Sequence, residues 1–480
     1  MADAENPVVA TEQGRLQGVT DGGAVSFRGI PYAASPVGGL RFAAPRPHPG
    51  WTGVRAAAQA GPAVPQGPSR LERVMGHRVP DWDEDGSLTV NVFVSRRALT
   101  DGTPRPVLLW WHGGGFTSGS GGWDWYDGGR LAALGDIVVV TANYRVGPLG
   151  YLYLPEIGAA NLGSRDQAAA LRWVRDHIAS FGGDPRAVTV GGQSAGAYSA
   201  LSLALDPETS GLVARVLLQS GPFGLAPQDA GAAAETAEAY LRLLGVPADA
   251  DALRALPADL LLSAYGRLAA RTARPGDAAP PMYPVLGAPG MPRTWQRALA
   301  DGALEGRPLL VGTTADEATS FFAFDPDLRS LTPAAAVDLL SAQAGDRARE
   351  VYDAYAARLP RATPAQIFTA VGTDTLFRNG SLEIARRHAA DGGTARVYRF
   401  DRRPAEDPYA LGAAHCAELP FLFNTFDAYP DSPMLGRVGP SERALGHEFA
   451  TAVAEFVRTG SVHDWLPCEP GAPARVRRFG

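Results

Sequence analysis

Apolar runs of two kinds alternate along this chain. Pro106-Val107-Leu108-Leu109-Trp110-Trp111 is unbroken, and Ile137-Val138-Val139-Val140-Thr141 and Val216-Leu217-Leu218-Gln219-Ser220 are nearly so. Such short β-branched runs read as strands covered on both faces, the pattern of a parallel sheet. Leu88-Thr89-Val90-Asn91-Val92-Phe93-Val94, Ala187-Val188-Thr189-Val190, Pro308-Leu309-Leu310-Val311-Gly312 and Arg396-Val397-Tyr398-Arg399-Phe400 read as further strands. Other stretches carry helical spacing. Ser164 through Ser180 places Leu171, Val174 and Ile178 on one stripe, with capping-box spacing at Ser164 and Gln167 and Gly182-Gly183 as its stop. The next strand follows at once, which makes a β-α-β unit and implies parallel pairing.

The flanks are less regular. Val8-Val9-Ala10-Thr11, Arg15-Leu16-Gln17-Gly18-Val19 and Ala24-Val25-Ser26-Phe27-Arg28 predict a small antiparallel meander. Residues 31–68, rich in Pro and Gly, predict a long surface loop. Residues about 230–290 and 330–390 predict mainly helical insertions over one edge of the sheet. Thr332-Pro333 and Thr363-Pro364 each set a capping residue before a proline at the first helical position. A last helix over about 441–458 aligns Leu445, Phe449, Val453 and Phe456. No internal repeat or low-complexity linker interrupts the chain.

Composition narrows the class. The 480 residues are 45% hydrophobic and 20% charged, ordinary for a globular protein with a large core. The net charge of −6 argues against a nucleic-acid or anionic-membrane partner. The 44 basic residues are all Arg, which reflects a GC-rich, bacterial type of genome better than a function. Two cysteines, Cys416 and Cys468, imply no disulfide framework. The first residues lack a basic stretch followed by an apolar one, and no apolar run approaches the roughly 20 residues of a membrane span. The expectation is a cytoplasmic protein with reduced thiols.

The candidate chemistry centres on Gly192-Gln193-Ser194-Ala195-Gly196, between a strand and a helix-forming run. A serine at such a glycine-flanked turn projects its hydroxyl above the sheet, and the next N–H, that of Ala195, points toward an oxyanion. On the motif alone, a glycine-rich helix entry with an ordinary serine is equally good. His112-Gly113-Gly114-Gly115-Phe116 follows a buried strand and leads into an aromatic loop without Lys. A P-loop would carry Lys and run straight into a helix, so an oxyanion hole is the better reading. A serine nucleophile needs a base, and the base an orienting acid. Of eight His, His48, His77, His177, His388 and His447 read as surface or structural, His463 lies in the tail, and His112 reads as a brace for the glycine loop. His415 remains, in a loop beyond a late strand. Glu317 follows another buried strand. Ser194, Glu317, His415 is the Ser, acid, His order of α/β-hydrolases.

At this point the chain resembles the type-B carboxylesterase family, which includes the cholinesterase-like esterases. The resemblance runs through Phe27-Arg28-Gly29-Ile30-Pro31-Tyr32-Ala33 with Leu40-Arg41-Phe42, His112 to Phe116, and Asn143-Tyr144-Arg145-Val146-Gly147-Pro148-Leu149-Gly150. It continues through Asp166-Gln167, Phe181-Gly182-Gly183-Asp184-Pro185, Gln193-Ser194-Ala195-Gly196, Asp316-Glu317, and Ala414-His415 with Glu418-Leu419-Pro420-Phe421. It implies one α/β-hydrolase domain over 1–480, with a mostly parallel twisted sheet and helices on both faces. It implies Ser194 as nucleophile, His415 as general base, Glu317 as orienting acid, and oxyanion donors at Gly114, Gly115 and Ala195. It implies hydrolysis of small-molecule carboxylic esters through an acyl-enzyme, with no metal or cofactor.

The chain departs from the family at three places. Gln193 stands where Glu is usual, which removes a negative charge beside the site. Val64 and Ser87 stand where the family's first disulfide is common, and Cys416 stands where Gly is usual. Trp123, Trp125, Tyr126, Phe321 and Phe322 are candidate pocket walls, and each could equally be core. Two other functions remain open. One is acyl transfer, cyclisation or amide hydrolysis on the same triad. The other is a non-catalytic binding role, against which the complete set of Ser194, Glu317 and His415 speaks.

Overall fold

A computed structural model describes residues 6–78 and 81–480. Its strands are β1 (Val8–Thr11), β2 (Gly14–Gln17), β3 (Val19–Asp21), β4 (Ala24–Pro31), β5 (Val54–Ala56), β6 (Thr89–Ser95), β7 (Arg105–Trp111), β8 (Val138–Ala142), β9 (Gly183–Gln193), β10 (Arg215–Gln219), β11 (Leu309–Thr314), β12 (Ala395–Phe400) and β13 (Val476–Phe479). Among the described residues, ten of them form one sheet in the order β13-β12-β11-β10-β9-β7-β8-β6-β4-β3. From β8 to β13 the neighbours are parallel, and β6, β4 and β3 add an antiparallel edge. The fold is the α/β-hydrolase type.

The strand period of two explains the two covered faces. On β7, Val107, Leu109 and Trp111 enter one core, and Leu108 and Trp110 enter the other. The helices Leu162–His177 and Ala195–Leu205 pack on the first face. The helix Pro440–Thr459 sets Phe449, Val453 and Phe456 on the second. Among the described residues, no helix is long and apolar enough to cross a membrane.

Several sequence expectations need correction. The meander over residues 8–30 is split between two sheets. β2 pairs with β1 on one side and with β5 on the other, whereas β3 and β4 join the large sheet. The switch occurs at Gly18, where a side chain would run into the Phe27 ring. Residues 31–68 are not simply a surface loop, because they contain β5 and bury Phe42, Val64 and Gln66. The box at Ser164 and Gln167 does not form, since the helix begins earlier, at Leu162, after Asn161 in a left-handed conformation (φ 46°). The caps at Thr332 and Thr363 form as read. The 230–290 segment is helical through Thr272 and irregular beyond it.

Candidate active site

All the chemistry-bearing loops leave the C-terminal ends of parallel strands, where α/β sheets place their ligands. β9 ends at Gln193, and the Ala195–Leu205 helix begins two residues later. Ser194 fills the turn between them with φ 57° and ψ −126°, outside the regions open to an L-residue at no cost. Its N–H donates to the Gln219 carbonyl of β10 at 2.9 Å, which pins the strained turn. Gly196 makes the geometry feasible, because a Cβ there would run into the carbonyl of Trp111.

The glycine loop follows β7. Gly114 has φ 110°, a conformation L side chains rarely adopt. The His112 ring braces the loop as expected. Its Nδ1 contacts the Gly113 carbonyl at 2.8 Å, and it stacks on Tyr144 at 4.4 Å. Burial lowers its pKa to about 4, so it is neutral here. The Tyr144 hydroxyl donates to the His112 carbonyl at 2.9 Å. Gly114, Gly115, Ser194 and Ala195 line one cavity of about 570 Å³.

Glu317 and His415 come together from two loops. Asp316 and Ala414 pair as a single parallel bridge that ties these loops together. The Glu317 carboxylate is fully buried. Its Oε1 accepts from the Thr314 N–H at 2.7 Å, and its Oε2 lies 2.5 Å from His415 Nδ1. Both oxygens are thereby fixed, and the ring is oriented with Nε2 facing away. The Ser320 hydroxyl donates to the His415 carbonyl at 3.2 Å. On its far side, Nε2 lies 3.3 Å from the Gln193 side-chain nitrogen.

Aromatic rings dry the imidazole. Phe377 lies 4.9 Å from it and Phe321 5.3 Å, ring centre to ring centre. Cys416 follows with φ 74°, a strained value at the site where the resemblance expects Gly. Its thiol is buried, and burial with the Glu418 and Glu317 carboxylates pushes its pKa up. It is a neutral filler at this place.

The cavity corrects the aromatic candidates. Phe321 and Phe322 line it, with Phe368 and Phe377. Trp123, Trp125 and Tyr126 do not. Trp125 stacks on Tyr429 at 5.4 Å and donates to the Ala428 carbonyl, Trp123 packs edge-on to Trp125, and Tyr126 packs on Phe423. They belong to the core under the C-terminal helix. Phe377 was missed by sequence reasoning because it rides on a π-helical turn, Thr373–Arg378, which no helical periodicity reveals.

Comparison with known proteins gives a consistent assignment. The family profile described as "Carboxylesterase family" matches residues 5–473. The chain is 37% identical over 468 residues to the phenmedipham hydrolase of Pseudarthrobacter oxydans, covering 97% of this chain and 92% of that one. It is 38% identical over 462 residues to the para-nitrobenzyl esterase of Bacillus subtilis (strain 168), covering 95% and 90%. Among solved structures, a thermophilic PNB esterase superposes with a TM-score of 0.85 at 34% identity, over 98% of this chain and 96% of that one. The chain belongs to the carboxylesterase family, and it is a carboxylic ester hydrolase.

Proposed function

We propose that Ser194, His415 and Glu317 are the catalytic triad, with Gly114, Gly115 and Ala195 as oxyanion donors. The observation that carries this reading is the 2.5 Å contact between His415 Nδ1 and the buried Glu317 carboxylate, at the mouth of β9 where Ser194 turns. In the first step Ser194 Oγ attacks the ester carbonyl carbon, and His415 Nε2 takes its proton. The carbon–oxygen bond to the alcohol breaks, and the proton passes to the leaving oxygen. Water then attacks the acyl-Ser194 carbonyl and gives a proton to His415, which passes it to the serine oxygen as the carbon–oxygen bond to Ser194 breaks and the acid leaves. Each oxyanion donor is worth about 2.7–4 kcal/mol of transition-state stabilisation.

The substrates are small-molecule esters with an apolar or aryl part, because Phe321, Phe322, Phe368 and Phe377 wall a cavity of about 570 Å³. The relatives named for phenmedipham and para-nitrobenzyl substrates agree with that reading. Residues 1–480 act as one catalytic unit, with the helical stretches 230–290 and 330–390 contributing cavity walls at Ala232 and Phe368. The reading also takes the protein as bacterial and cytoplasmic. Cys416 and Cys468, both free and buried, support the reducing compartment, and the bacterial relatives support the source. A net charge of −6 supports a protein with no nucleic-acid or membrane partner.

The test is hydrolysis of a p-nitrophenyl ester series of increasing acyl length by wild type and Ser194→Ala. Loss of the nucleophile should lower kcat on the order of 10⁶-fold. Unchanged turnover in the variant would remove Ser194 from the mechanism.

A further inference from the structure

A second pocket, of about 540 Å³, is lined by the helices Leu162–His177 and Ala195–Leu205, and it shares no lining residue with the cavity at Ser194. The helix pattern builds its floor. Arg165, Ala168, Ala169 and Arg172 stand at i, i+3, i+4 and i+7, so they share one helix face. Two small side chains between two long cationic ones leave a trough. Ala44-Pro45-Arg46-Pro47 forms another wall. Its backbone is fixed at two points, since Arg145 Nη1 donates to the Ala43 carbonyl at 2.8 Å and the Ala34 N–H donates to the Arg46 carbonyl at 2.8 Å. Pro289 and Gly290 add a third side. Gly290 lies directly on the first helix, because a Cβ there would run into that of Ser164. The walls are preformed, as those of ligand sites commonly are.

Four arginines and three carboxylates line this pocket. Arg175 is paired with Asp176 at 2.6 Å, and Arg172 meets Glu208 at 3.5 Å. Asp206 accepts from the Glu208 N–H at 3.0 Å. Arg46 and Arg165 form no ion pair among the described residues, so two guanidiniums are left without an anion. Gln167 points the same way. It lines the pocket at 1% exposure, and its side-chain nitrogen is buried without a hydrogen-bond partner among the described residues. A buried donor without an acceptor is costly and rare in a folded chain.

We propose that this pocket is a second binding site, for a small organic carboxylate with a flat apolar body. The carboxylate accepts from the Arg46 and Arg165 guanidiniums, whose planar forks match its two oxygens. The Gln167 amide is a further donor, from the buried side. The body lies on Ala168, Ala169, Pro45 and Pro47, which offer apolar surface and no side-chain hydrogen bonds. An inorganic anion would meet the same charges and leave that surface bare.

The test is calorimetric titration of the full chain with three probes: benzoate, its neutral isostere benzamide, and inorganic phosphate. Benzoate should bind wild type saturably, and benzamide and phosphate should each bind at least about tenfold more weakly. Carboxylic acids are also the products of ester hydrolysis, so benzoate has a second destination in the cavity at Ser194, and variants tell the two apart. Arg46 is exposed and Arg165 half-buried, so Arg46→Ala and Arg165→Ala spare the core. Each should weaken benzoate by about tenfold, the usual effect of removing one charged hydrogen-bond donor. Gln167→Met keeps the length of the side chain, removes its amide, and should weaken benzoate as well. Thermal unfolding gives a second readout, because a ligand that binds only the folded chain raises the midpoint. Benzoate should raise it further in wild type than in Arg165→Ala. Equal benzoate affinity in wild type and both arginine variants would place the acid elsewhere and overturn the proposal. So would phosphate binding as tightly as benzoate, benzamide binding as tightly as benzoate, or no saturable benzoate binding at all. None of these outcomes depends on Ser194 or His415.

Discussion

The side-chain nitrogen of Gln193 lies 3.3 Å from Nε2 of His415, on the opposite side of the ring from Glu317. With the ring proton held on Nδ1 toward Glu317, Nε2 carries a lone pair, and the Gln193 amide donates to it. The resting imidazole is thus held at both nitrogens. A carboxylate at position 193 could not make that contact to a neutral ring. It would bind the protonated ring instead.

In Gln193→Glu a carboxylate stands beside Nε2 and should therefore favour the protonated ring over the neutral base, so that the base stays inactive to higher pH. The acid limb of kcat/KM should move upward by about one unit, with the alkaline plateau within a few-fold of wild type. A pH–rate profile on a neutral ester checks this. A limb that stays in place would show that the amide and the carboxylate are equivalent here.

The same position sets charge preference. The uncharged Gln193 gives a cationic alcohol group nothing to pair with near the nucleophile. Wild type should hydrolyse a choline ester no better than its neutral isostere with carbon in place of nitrogen. Gln193→Glu should shift that ratio toward the cation by about fivefold to tenfold, the equivalent of an exposed-to-partly-buried charge pair. The ratio of kcat/KM values for the two esters is the measurement. Efficient and selective turnover of the choline ester by wild type would defeat the argument.

Aromatics near the glycine loop and near the base should behave differently. Phe377 lines the cavity and packs on His415. Phe377→Leu should move the acyl-length optimum toward bulkier esters and lower kcat, since the imidazole loses a supporting ring. Trp125 lies in the core under the C-terminal helix, stacked on Tyr429, and does not line the cavity. Trp125→Leu should leave the chain-length profile unchanged and cost about 2–4 kcal/mol of stability. A p-nitrophenyl series and a urea titration on both variants separate the two effects.

The contrast also shows what the chain displays in one dimension. Ser194, Glu317 and His415 stand out because each follows a buried strand, and glycines mark the turns. Phe377 does not, because its place depends on one π-helical turn inside a long helical block. Trp125 follows the glycine loop in sequence, yet it packs under the C-terminal helix and does not line the cavity. β13, Val476–Phe479, is short and half Arg, so neither hydrophobic run nor clean alternation announces it. It is a strand because Phe400 pairs with Phe479 at the sheet's edge. The Gln193 contact with His415 joins residues 222 positions apart and rests on tertiary placement alone. Local rules reach turns, caps and strand cores, while which aromatic faces the substrate is decided by packing between distant segments.

Stability of the site's frame rests on a second pair. The Arg145 guanidinium meets Asp166 through Nε and Nη2, each at 2.7 Å, and the Arg145 N–H also donates to Asp166 at 3.0 Å. Both side chains are almost fully buried, at 3% and 0% exposure. Arg145 follows Tyr144, whose hydroxyl holds the His112 carbonyl, so the pair anchors the segment that supports the glycine loop. Asp166→Asn leaves a buried guanidinium with no counter-charge, and should cost about 3–5 kcal/mol. Replacing both partners, Arg145→Met with Asp166→Leu, removes the uncompensated charge and should recover most of that loss. Urea midpoints of Arg145→Met, Asp166→Leu and the double variant complete the cycle, with Asp166→Asn measured beside them. A double variant no more stable than Asp166→Asn would mean that the pair's hydrogen bonds to the backbone, including Arg145 Nη1 to the Ala43 carbonyl at 2.8 Å, matter more than its charges.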